Sequence, residues 1–239
     1  MTDIDLTVDR FEQASWLLAE IRHRQDCWPG RRHPFHQRWF AGELTADELQ
    51  TYAGEHHHVV VALADVTRRA AALADGMLRE ELVRHGAQRE RGVDLWCAFA
   101  LATGWSGSAG WYFAADPLLE TTTAADVWVG DAHRSLAEHL VTLYALETAH
   151  AEVAQPQLDA LLGHYGFDTD DSTRYFSGRC QGDSGPVGLI EAALIGLLPV
   201  TDPFALIRRA EVTYRAYWDL LDGIDRFSRL SRAARERAA

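Results

Sequence analysis

Strong helix breakers occur in this chain only in a few short clusters, and the spacing between them constrains the fold more than any other feature. The clusters are Pro29-Gly30, Gly104 to Gly110, Pro117, Gly163 to Gly166, Gly178 to Gly188, and Pro199. Between them apolar residues recur at helical steps, as in Phe11, Trp16, Leu17 and Ile21. Thr45-Ala-Asp-Glu48 reads as a capping box opening a long second helix through Leu49, Tyr52, Val59, Leu63 and Val66. A third helix is expected from about Gly76 to Ala102, with Leu78, Leu82, Leu95 and Phe99 inward. A fourth, bent or split, covers about Ala124 to Gly163, and a fifth runs from about Val187 to Leu198. The last starts at Asp202-Pro203, an N-cap followed by proline, and carries Ile207, Val212, Trp218, Leu221, Ile224 and Phe227. No strand alternation or internal repeat is evident. The expectation is all-α: one domain over residues 1–239, a bundle of about seven helices whose interior can hold a ligand.

Composition removes several chemistries. All 23 basic residues are arginine, so Schiff-base, pyridoxal-aldimine, biotinyl and Walker-type lysine chemistry is excluded. The net charge of −12 disfavours nucleic acid or an anionic membrane as partner. The basic tail over residues 229–239, part of a run of five arginines from Arg226 to Arg237, reads as a solvated helix end. Cys27, Cys97 and Cys180 are odd in number and widely spaced, with no disulfide framework. The acidic N-terminal stretch has no apolar signal core, and no apolar run approaches a membrane span. A cytoplasmic protein is expected, with a homodimer as the commonest soluble assembly.

Chemistry-bearing side chains fall on the helices. Glu55 and His58 share a helix face, and Glu147 and His150 repeat that spacing on the fourth helix. Two Glu-x-x-His pairs are the ligand pattern of carboxylate di-iron bundles, and chance pairing in a chain with 11 histidines is the plainer alternative. Glu81 and His85 form an i, i+4 pair that reads as a surface salt-bridge cluster with Arg84 and Arg89. Tyr175, Arg179 and Asp183 are each four apart in a glycine-rich stretch. That stretch is either a flexible polar loop or, if helical, one wall of an anion-binding cavity, since arginine's fork suits carboxylates.

The string HPFHQRWFAGELTADELQTYAGEHHHVV, residues 33–60, resembles the second-helix start of the heme-oxygenase-like superfamily. Within it the resemblance is to the branch of TenA-type thiaminases, PqqC-type oxidases and di-iron oxidases similar to the chlamydial death-domain-associating protein. It continues through Glu81 to Trp96, residues 146–167, YFSGRCQGD at 175–183, and the Trp218–Asp222 segment. The di-iron branch implies Glu-x6-His, a helix-four Glu, and His-x3-Asp-x2-His. This chain reads Glu81 with Gln88, Glu147, then Arg179, Asp183 and Pro186, so the carboxylates are kept and the three histidines are not. The PqqC-like branch has Tyr-Phe-x-x-Arg where Tyr175, Phe176 and Arg179 stand, and a Glu at Glu147. Ala154 and Thr213 replace a histidine and a lysine of that branch, and none of the cysteines lies on the fourth helix where a thiaminase nucleophile would.

The resemblance implies an oxygen-using biosynthetic oxidase, PqqC-like, with no cofactor and molecular oxygen as co-substrate. Its substrate would be a small anionic or electron-rich metabolite. Glu147 with His56 or His150 would act as general base, Arg179 would bind a carboxylate or a developing oxyanion, and Tyr175 would relay a proton. Asp183, His58 and Tyr52 would help to bind substrate. The alternatives are an iron oxidase using Glu55, His58, Glu81, His85, Glu147, His150 and Asp183, and a non-catalytic binding protein.

Overall fold

The computed structural model describes residues 3–105, 117–180 and 185–238. Among them the chain is all helical, without a strand. The helices are α1 (Asp3–Cys27), α2 (Pro34–Phe40), α3 (Ala46–Leu73), α4 (Gly76–Ala102), α5 (Leu119–Val129), α6 (Leu136–Gly163), α7 (Asp170–Cys180), α8 (Gly185–Leu197) and α9 (Pro203–Ala238). Short 3-10 turns lie at Gly30–Arg32 and Leu198–Val200.

Among the described residues nine helices are seen where about seven were expected, for local reasons. The long fourth segment is two helices, because Gly130 ends α5 at φ 68. The guanidinium of Arg134 lies where a side chain on Gly130 would begin, held there by its bond to the Trp128 carbonyl at 2.6 Å. His33-Pro34 opens the short helix α2 as a rigid helix entry: His33 caps it by accepting from the Phe35 amide, and Pro34 takes the first turn. The Tyr175–Arg179 stretch is helical, in α7.

Helix α6 is the axis of the bundle. Capped by a Ser135–Glu138 capping box, it buries every residue from Leu140 to Leu146, so it is enclosed on all sides. Helices α3, α7, α8 and α9 pack directly on it, and α4 pairs along α3. The first turn of α3 carries the expected capping box at Thr45 and Glu48. Glu48 also receives Arg38 of α2, whose other nitrogen donates to Asp225 of α9 at 2.7 Å, so one guanidinium ties three helices together. His33 adds a second tie to α9, donating from Nε2 to Asp222 at 3.1 Å. The arginines of the expected tail belong to α9, where Arg229 pairs with Asp225 and Arg235 with Asp47. No helix among the described residues is long and apolar enough to cross a membrane.

Two glycines with positive φ separate backbone strain from steric conflict. Gly76 has φ 49 and open space around it, whereas Gly130 has φ 68 and faces Arg134. Gly76→Ala is expected to cost about 1 kcal/mol and Gly130→Ala at least about 2, compared by urea unfolding midpoints.

Candidate active site

Helical spacing on four helices points a set of polar and aromatic side chains at one interior point. Tyr52 and His56 lie one turn apart on α3, and His150, Val153 and Gln157 follow one another on a face of α6. Tyr175 and Arg179 come from α7, Trp96 from α4 and Tyr217 from α9. They enclose a cavity of about 10 Å³, room for about one water. The rings form a continuous wall: His56 lies 4.8 Å from Tyr52, 4.7 Å from Trp96 and 5.6 Å from His150, and His150 lies 5.1 Å from Tyr217. Each such contact adds on the order of 1 kcal/mol beyond burial. Nδ1 of His56 and both ring nitrogens of His150 are buried with no hydrogen-bond partner among the described residues. Buried polar atoms are rarely left so, and here they converge on the cavity.

Burial makes these rings neutral. It lowers the His56 and His150 pKa values well below the usual histidine value, and the Arg179 charge lowers them further. Tyr52 and Tyr217 are pushed above the usual phenol value by burial. His36, behind them, is lowered to about 3 by burial, although its Nδ1 donates to the Gly30 carbonyl at 2.8 Å.

The fixed charges beside the cavity are one carboxylate and two guanidiniums. Glu147 of α6 accepts from Arg89 of α4 and lies 3.6 Å from Arg179 of α7. Burial alone would raise its pKa, but the two arginines, with His85, outweigh that and hold it below the usual carboxylate value. Arg179 has a loose second contact, its Nη1 donating to the Tyr175 hydroxyl at 3.4 Å.

The structure thus gathers Tyr52, His56, Glu147, His150, Tyr175 and Arg179, and leaves other sequence candidates elsewhere. Glu55 is buried but accepts from the Thr121 hydroxyl at 2.5 Å and the Leu118 amide at 3.1 Å, facing α5. His58, near Glu55, does not line the cavity. Glu81 pairs with Arg84 on a half-exposed face, while His85 bonds Gln88 at 3.0 Å and lines a second small cavity with Arg89 and Glu147. Asp183 lies outside the described residues. The surface cluster expected for Glu81, His85, Arg84 and Arg89 is divided, because Arg89 turns inward to Glu147. Tyr217, Gln157, Trp96 and Arg89 were not among the expected site residues. Gln157 continues the His150 stripe at i+7, a signal present in the sequence. Tyr217 and Arg89 act across helices, which spacing along one helix does not reveal.

No family model matches the chain. A protein named 4-aminobenzoate synthase from Nitrosomonas europaea is 28% identical over 243 residues, covering 92% of each chain. One of the same name from Chlamydia muridarum is 26% identical over 197 residues, covering 80% of this chain and 82% of that protein. A TenA homologue from Pseudomonas syringae superposes with TM-score 0.73 at 14% identity, covering 89% of this chain and 92% of the other. A domain described as having a heme oxygenase-like fold, from Shewanella denitrificans, superposes with TM-score 0.66 at 13% identity, covering 97% and 95%. The fold is heme-oxygenase-like.

The relatives named 4-aminobenzoate synthase correct one expectation. The cofactor-free site is overturned, because the relatives carry the name of a di-iron enzyme, which points to iron. The expected ligand set does not assemble as such a centre. Among the described residues no three His, Cys, Asp or Glu side chains are grouped to hold a metal ion. Glu147 is taken by arginines, Glu55 by Thr121 and Leu118, and Glu81 by Arg84. These residues do not fit a carboxylate-bridged pair of irons.

The buried neutral histidines fix the sign of a pH effect. His33, His36 and His139 have folded pKa values lowered to about 4, 3 and 4, chiefly by burial, against 6.5 when unfolded. The unfolded chain therefore binds more protons below pH 6.5, and the stability these histidines lend is lost as pH falls. Urea midpoints are expected to drop between pH 6.5 and 5, by roughly 1 kcal/mol per pH unit for each such histidine. His36→Asn should flatten the slope.

Proposed function

We propose that the chain is an oxygen-dependent oxidase of small-molecule biosynthesis, acting on a small electron-rich carboxylate bound at Arg179. The observation that carries this reading is the cavity itself: one half-buried guanidinium beside two neutral imidazoles with unpartnered nitrogens. A guanidinium anchors a carboxylate bidentately and stabilises negative charge that develops on a neighbouring oxygen. A neutral buried imidazole with a free nitrogen can accept a proton, so His150, with His56 beside it, is assigned the proton removal. Glu147 is assigned to Arg89 and Arg179, since a carboxylate held ionised by two arginines is a poor proton acceptor. Tyr175, in reach of Arg179, donates a hydrogen bond or passes a proton. The aromatic wall excludes water and stacks on an aromatic ligand. Formation of 4-aminobenzoate, the activity in the relatives' name, is the reaction proposed first.

The test is oxygen uptake by the purified protein together with rescue of a bacterial strain unable to form 4-aminobenzoate. Rescue by the wild type and loss of rescue with Arg179→Gln are expected. Absence of both oxygen uptake and rescue with the wild type would overturn the proposal. In a turnover assay Arg179→Gln should lower kcat/KM by about 10²-fold, the usual range for one charge-stabilising donor, and Tyr175→Phe by about tenfold or less.

A further inference from the structure

The inner cavity holds about 10 Å³, far less than an aromatic carboxylate, so a ligand of the kind proposed enters only if part of the wall moves. A second cavity, also of about 10 Å³, lies on the other side of Glu147, bounded by Leu82, His85, Arg89, Leu189 and Ile190 from α4 and α8. Only the inner cavity touches Arg179, and only the outer one touches Arg89 and Glu147. The Arg89–Glu147–Arg179 triad is therefore the partition between them.

The partition is asymmetric. Glu147 is hydrogen-bonded to Arg89, while its contact with Arg179 is 3.6 Å, longer than a hydrogen bond. The Tyr175 contact of Arg179 is also long, at 3.4 Å. Among the described residues a half-buried guanidinium with five donors thus meets a distant carboxylate and one weak acceptor. A ligand carboxylate offers it a bidentate pair, and Glu147 keeps Arg89 when it lets go. No charge is stranded in the exchange.

We propose that Glu147 is a displaceable stand-in for the ligand's carboxylate: it closes Arg179 off from the outer cavity, and an entering carboxylate takes Arg179 from it. This rests on the reading of Arg179 as a carboxylate anchor. The exchange restricts the site to carboxylates, because a neutral ligand of the same shape has nothing to trade for Glu147. The entry route runs between α4, α6 and α8.

The test follows binding of 4-aminobenzoate, with neutral 4-aminobenzamide as control, by stopped-flow fluorescence and calorimetry. The wild type should bind the carboxylate at least about tenfold more tightly than the amide, the factor of one charge-assisted hydrogen bond. Glu147→Gln weakens the stand-in and should speed association by about tenfold. Arg89→Gln leaves Glu147 with Arg179 alone, tightens the closed pair and should slow association. The opposite signs matter, because general loosening of the fold would speed both. Arg89→Gln keeps a balanced ion pair, so it carries the test if Glu147→Gln does not fold. Unchanged association in both variants, or a change in the same direction, overturns the partition. Binding that depends on Arg179 but not on Glu147 or Arg89 removes the partition alone. Failure of the carboxylate to bind any of these proteins removes the anchor reading as well.

Discussion

One carboxylate on the central helix holds two cations from two other helices, and the interior of this protein is arranged around that fact. Glu147 sits on α6, Arg89 on α4 and Arg179 on α7. Removing Glu147 leaves two guanidiniums short of a partner away from bulk water, which is far more costly than losing a surface pair. The triad thus fixes where α4 and α7 meet α6, and it sets the potential felt by the histidines. The Arg179 charge adds to the burial that keeps His56 and His150 neutral.

The aromatic wall and the charges divide the work. Rings from α2, α3, α4 and α7 interlock through Phe35, Tyr52, Trp96 and Phe176, which keeps the cavity narrow. In such a place a guanidinium acts at low dielectric, and its attraction for an anion is not spread into water. Among the buried polar atoms left without partners in the described residues are Nδ1 of His56 and both ring nitrogens of His150, two residues that line the cavity. A core selected for stability alone would not keep them.

Helix positions were largely legible from capping and periodicity. Thr45, Glu48 and Pro203 mark starts that the structure bears out. The fourth segment was expected to bend or split, but the place of the division, Gly130, was hidden because the residue acts through its φ and through Arg134, neither of which periodicity reports. Tyr175 and Arg179 were readable as one stripe, and the structure puts both at the cavity. The two Glu-x-x-His pairs show the limit of such reasoning. Equal spacing puts Glu55 with His58 and Glu147 with His150 on helix faces, but the partners across the bundle decide the chemistry. Thr121 claims the first carboxylate and two arginines claim the second. Arg89 is 58 residues from Glu147 in sequence, so nothing local links them.

The absence of lysine has a consequence for how this molecule responds to its surroundings. Every cation that ties helices together, Arg38 among Glu48 and Asp225 as much as Arg179 beside Glu147, is a guanidinium. Burial of Arg38 and Arg179 is outweighed by their partners, so both hold their protons even more firmly than free arginine. Alkaline conditions that discharge ordinary ammonium groups leave these ties intact. Acetyl transfer to side-chain amines finds no target. Positive charge is therefore a constant of this fold, and any control over its ion pairs has to act on the carboxylates.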